Sequence, residues 1–174
     1  LSVGASVSGS LHLSDTELDR ITTQKALWLG SVECDNVILD SMRHADTPTD
    51  VFIMGTVTVT FAGSSTFATR VGVHADVNVI IDASVTVSGG PLTIDADAQC
   101  AGSGNFSVTS SGQIVTNDNV LTVQAHDVNL EGTLNTGAAS THFIGCSAVS
   151  IGVGGGGDGI EDMRLSQTEL QQIT

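Results

Sequence analysis

Residues 11–22 (LHLSDTELDRIT) return at residues 163–174 (MRLSQTELQQIT), 152 positions later, with seven of twelve positions identical. A chain that repeats itself over so long a stretch is made by copying a unit, and such units bury their apolar surface by stacking on one another. Upstream, Ser2-Val3-Gly4-Ala5 returns as Ser150-Ile151-Gly152-Val153 at an offset of 148, so the glycine-rich connection to the longer block gains four residues the second time and reads as a loop. The organisation that follows is the end of a preceding repeat at 1–10, one full repeat at 11–162 and the start of the next at 163–174. The chain opens inside a strand-like pattern, with neither an initiator Met nor a basic-then-apolar leader, and is expected to be internal to a longer polypeptide whose targeting signals lie elsewhere.

The block carries its own local structure. Ser14 precedes Glu17 by three, and Ser166 precedes Glu169 by three. Each pair is a capping box, in which the serine hydroxyl and the glutamate carboxylate satisfy amides left free at a helix start. A short helix is therefore expected at each repeat boundary, with Leu18 and Ile21 on one face. Between the blocks a shorter rhythm runs, with strand-forming segments separated by Gly, Ser, Asn and Asp at intervals of about 20 residues. Laid out as rungs these are 26–50, 51–70, 71–90, 91–111, 112–132 and 133–153. Residues 51–61 and 83–88 alternate polar and apolar side chains at period two, so one face is core and the other is wet. Asp76, Asp97 and Asn117 recur about one rung apart and are expected to stack at a shared corner. The predicted fold is all-β: a parallel β-helix, or β-solenoid, with a short helix at each boundary.

Composition fits a stacked core better than a layered globule. Hydrophobic residues make up 40% but aromatic ones only 3%, with no Tyr and one Trp, so the interior must be tiled from Val, Ile, Leu and Ala. The formal net charge is -14, with five Lys and Arg in all, which argues against a nucleic-acid partner. Such a surface favours partners that bring cations, calcium or basic protein patches among them. No apolar run reaches the roughly 18 to 20 residues that a bilayer demands, so no membrane span is expected.

The L-S-x-T-E-L-x-x-I-T block, followed by Ala26-Leu27-Trp28-Leu29-Gly30-Ser31 and by Asn36-Val37-Ile38-Leu39, resembles repeats of filamentous-haemagglutinin-like proteins. The resemblance covers residues 11–39 and the end of the chain, and matches in between only in texture. Those proteins are long secreted polypeptides forming parallel β-helices, so the resemblance implies an adhesin or surface fibre without a catalytic site. This sequence departs from the pattern in its cysteines and in residues 42–48.

Candidate chemistry is sparse. Cys34, Cys100 and Cys146 show no C-x-x-C spacing; a Cys100–Cys146 bridge and inward-facing thiols both remain open. Asp158, Glu161 and Asp162, after the glycines at 154–157, faintly resemble a calcium-binding nonapeptide that occurs once instead of in tandem. Gly152 to Gly157 satisfies G-x-G-x-x-G literally but lacks the βαβ context of a dinucleotide site. No cofactor is expected. The histidines at 12, 44, 74, 126 and 142 lack zinc-ligand spacing. His74, Asp76, Asp95, Asp97 and Arg70 are the one set that a polysaccharide-cleaving β-helix would use, against the simpler reading of solvated turn carboxylates. Thr58, Thr86 and Thr109 serve as plain outward strand residues, O-glycan sites or an irregular ice-binding row, and Asn105-Phe106-Ser107 is the single N-glycosylation sequon. The function expected from these residues is a structural tandem-repeat segment of an extracellular or cell-surface filament. It would associate with neighbouring repeats or with copies of itself, with glycans as further partners. The alternatives are an adhesin stalk and a carbohydrate-active enzyme.

Overall fold

An alternating run such as 51–61 buries one side only if the chain turns and lays another run beside it, because a lone strand leaves its backbone groups and its apolar face open. The computed structural model describes residues 1–4, 12–18, 20–44, 49–146, 150–154 and 162–174. The chain starts with β1 (Ser2–Gly4), β2 (His12–Leu13) and a one-turn helix α1 (Asp15–Leu18). The first rung is β3 (Ala26–Gly30), β4 (Asn36–Asp40) and β5 (Arg43–His44), and the second is β6 (Asp50–Gly55), β7 (Thr58–Phe61) and β8 (Ser65–Phe67). The third is β9 (Val71–Ala75), β10 (Asn78–Ile81) and β11 (Ser84–Val87), and the fourth is β12 (Leu92–Asp95), β13 (Asn105–Val108) and β14 (Gln113–Val115). The fifth is β15 (Leu121–Ala125), β16 (Asp127–Leu130) and β17 (Thr133–Asn135). Then come β18 (Thr141–Gly145), β19 (Ile151–Val153), β20 (Met163–Leu165) and a second one-turn helix α2 (Gln167–Leu170).

Corresponding strands of successive rungs pair in parallel and build three sheets. Sheet A runs β2-β1-β4-β7-β10-β13-β16, sheet B runs β3-β6-β9-β12-β15-β18, and sheet C runs β5-β8-β11-β14-β17. Together they make a parallel β-solenoid of about five turns. Register aligns like with like. Leu29, Ile53, Val73, Ile94, Val123 and Phe143 form one inward column of sheet B, and Leu39, Phe61, Ile81, Val108 and Leu130 form one of sheet A. Nearly all of these side chains are fully buried, and each such burial contributes about 1.5–3 kcal/mol. Inside the stack Phe61 and Phe67 meet edge to face with centroids 6.4 Å apart.

Three expectations are corrected by this register. The alternating run 51–61 is two strands, β6 in sheet B and β7 in sheet A, because the chain bends at residues 56 and 57, where the Thr56 and Val57 amides bond the Cys34 and Asp35 carbonyls of the rung before. The rung boundaries at 111 and 132 fall elsewhere. Sheet B strands follow one another after 24, 20, 21, 29 and 20 residues, so the fourth rung runs on to Val120. An extra loop between β12 and β13 accounts for the long step. Finally, Asp76 and Asp97 share the corner between sheets B and A, but Asn117 lies at the corner from sheet C to sheet B, where its side-chain amide donates to the Val87 carbonyl (3.4 Å). Asn117 and Asp118 both have positive φ (48° and 62°), and the Asp118 carboxylate accepts from the Ala138 amide one rung on (2.7 Å).

Candidate functional site

Three places concentrate specific polar or aromatic contacts. The first is the repeat boundary. Ser166 caps α2: its hydroxyl accepts from the Glu169 amide (3.3 Å), and Glu169 Oε2 accepts from the Ser166 amide (2.8 Å). The same reciprocal bonds join Ser14 and Glu17 at α1 (2.9 and 3.4 Å). Glu169 does more than cap, because its Oε1 accepts from the Leu130 amide at the end of β16 (3.2 Å). Asp127, at the start of β16, accepts from the Arg164 amide of β20 (3.2 Å). Ile173 bridges Leu134 in parallel, and the Thr174 amide donates to the Leu134 carbonyl (2.8 Å). The second copy of the block is thereby seated on the fifth rung by two carboxylates and a short stretch of backbone pairing. Asp127 carries no sequence signal, since its role depends on which strand lies beside it.

The second place is the outer face of sheet B. Trp28 and Phe52, partners in register, stack with centroids 4.5 Å apart, and the Arg70 guanidinium lies 5.5 Å from the Phe52 ring centre. Their next partner is Gly72, where a Cβ would meet the Phe52 ring at 2.7 Å, so the glycine makes the seat for that ring. Trp28 remains 58% exposed. Further along, His74 Nδ1 lies 3.7 Å from Asp95 Oδ2, and Gln124 donates to Asp95 Oδ1 (3.3 Å). His74 and Asp76 also line a cleft of about 280 Å³ with Val32, Met54, Thr56 and Gln99, and the Gln99 amide donates to Asp76. The structure therefore brings His74 and Asp95 together, while Asp97 is buried with its carboxylate turned into its own loop, accepting from the Ala101 and Gly102 amides (3.0 and 3.2 Å). Arg70 sits on the aromatic stack.

The third place is that loop. Cys100, at positive φ (52°), is disulfide-bonded to Cys146 with Cα atoms 5.2 Å apart. The bridge spans the fifth-rung corner, since Cys146 follows β18 two rungs beyond Asp97. Cys34 is a free, half-buried thiol. By the loop-entropy relation, closing 46 residues of separation contributes about 4 kcal/mol.

The remaining candidates are dispersed. Asp158 and Glu161 lie outside the described residues, and the Asp162 carboxylate accepts from the Ser150 amide and hydroxyl (3.1 and 3.4 Å). Among the described residues no group of three or more His, Cys, Asp or Glu is placed to hold a metal ion. Asn105 is exposed at the first position of β13. Thr58 lies on sheet A, Thr86 on sheet C and Thr109 just past β13, so they form no common row. No helix among the described residues is long and apolar enough to cross a membrane. No family model, curated protein or solved structure matches this chain. The fold alone defines its class, a parallel β-solenoid with tandem repeats.

Proposed function

We propose that this chain is a structural segment of an extracellular fibre or cell-surface filament, in which copies of one repeat of about 150 residues follow each other along the solenoid axis. The observation that carries the reading is the seating of the second block on the fifth rung, through Asp127, Glu169 and Ile173, so that the stack ends on the opening strands of another copy. A relationship to filamentous-haemagglutinin-like proteins belongs to the same proposal and is supported by the block and by the solenoid. An oxidising, extracellular setting is supported by the Cys100–Cys146 disulfide and by the exposed Asn105 sequon. The role proposed is non-catalytic: of the acidic groups that a sugar-cleaving site would need, Asp76 is bonded to Gln99, Asp95 to Gln124 and Asp97 to loop amides.

Electron microscopy of native material tests the proposal. Rods or filaments with a repeating axial period are expected, and monodisperse globular particles would overturn it. A stalk that carries an adhesive tip would instead give isolated rods without lateral or end-to-end contacts.

A further inference from the structure

The two copies of the boundary block are built alike but seated differently. In the first, β1 and β2 pair in parallel with Val3 opposite Leu13, and β1 also pairs with β4, placing Ser2 opposite Ile38 and Val3 opposite Leu39. In the second, β19 and β20 pair in parallel with Val153 opposite Leu165, the counterpart of Leu13. Here β20 faces the body of the solenoid: Arg164 is bonded to Asp127 of β16, and Met163 and Leu165 are buried. β19 lies outermost, with Ile151 44% and Val153 68% exposed, whereas Val3, which holds the place of Val153 in the pairing although its sequence counterpart is Ile151, is 0% exposed. What covers Val3 on that side is β4.

We infer that the open edge of β19 is the seat of the β4-equivalent strand, Asn36–Asp40, of a following copy of the same repeat. The order in sheet A across the junction is then β16, β20, β19 and the next β4, so the strand earlier in sequence stands farther along the axis. The chain places one strand ahead of the stack and fills the gap behind it. Such a junction is interleaved, and two parallel ladders must break before the copies part. The matching register sets Gly152 opposite Ile38 and Val153 opposite Leu39 of the following copy, which takes two exposed apolar side chains out of water. This inference rests on the tandem-repeat reading proposed above.

The test is a chain in which residues 23–174 are appended directly after Thr174, which occupies the place of Thr22 in the block. With Cys34→Ser in both copies, one version carries Gly152→Cys and Ile38→Cys of the second copy, and another carries Arg164→Cys with the same partner. Neighbouring strands lie about 4.8 Å apart, within disulfide reach, and strands two apart do not. The interleaved order predicts a cross-link in the first version and none in the second. A cross-link in the second alone overturns the inference while leaving a continuous rod, and hence the fibre reading, intact. Hydrogen exchange on the unsubstituted fusion covers any folding defect of the variants: the amides of Ile151 and Val153, which face the open edge while that of Gly154 already donates to the Leu165 carbonyl, should exchange at least tenfold more slowly than in the single-repeat chain. Unchanged exchange overturns the inference. Two copies that scatter as independent beads would overturn the fibre reading as well.

Discussion

The middle rungs and the boundary block are held together by different means. From β6 to β15 each strand has a parallel ladder on both sides, and most inward side chains have apolar partners above and below. At the boundary the ladder thins to an isolated bridge at Ile173 and Leu134, and two carboxylates, Asp127 and Glu169, carry the connection. Stacking of like on like is tolerant, since any rung with the right pattern fits any other. Pairing through single carboxylates is more selective, because it asks for a particular neighbour.

The contrast can be broken from either side. Phe61→Ala should be the most damaging change, costing about 3–5 kcal/mol, because removing a fully buried ring leaves a cavity that the ladders on both sides keep from closing. Urea denaturation measures it, and hydrogen exchange should rise across several neighbouring rungs. Replacing Cys100 and Cys146 together by Ser should cost about 2–4 kcal/mol, with faster exchange concentrated in residues 97–104 and 141–146. An intact protein that loses nothing on reduction would show that the loop is held by Asp97 alone. Glu169→Ala should cost about 1–3 kcal/mol by removing both the capping box and the acceptor for the Leu130 amide. Its exchange changes should stay within residues 130 and 163–174, and spread beyond them would show that the boundary and the middle rungs are not held separately. Gly72→Ala should cost about 1–2 kcal/mol by displacing the Phe52 ring. Trp28 is the single tryptophan, so a shift in its fluorescence reports loss of the stack directly.

Part of this difference is legible in the sequence. The capping boxes and the rung edges near residues 50, 70 and 90 follow from local pattern, since period-two alternation and turn residues act on their nearest neighbours. What the sequence hides depends on register. The loop at residues 97–104 has no period to announce it, and a count that passes over it displaces every later rung by about nine residues and aligns Asn117 with Asp97. The stack of Trp28, Phe52 and Arg70 and the pairing of His74 with Asp95 join residues about 20 positions apart, and they become neighbours only when the strands between them are correctly counted. His74, Asp95 and Arg70 were recognisable as a group. That Arg70 would spend its charge on a ring while Asp97 turned inward was not.

Strand number differs between the walls of the solenoid: sheet A takes seven strands from the chain and sheet B six. With the interleaved junction, every repeat lengthens one wall by a strand spacing of about 4.8 Å relative to the other. Bricks with one side longer than the other do not build a straight column. A run of such repeats would bend steadily, with sheet A on the outside of the curve, and the number of copies would set how far the arc turns.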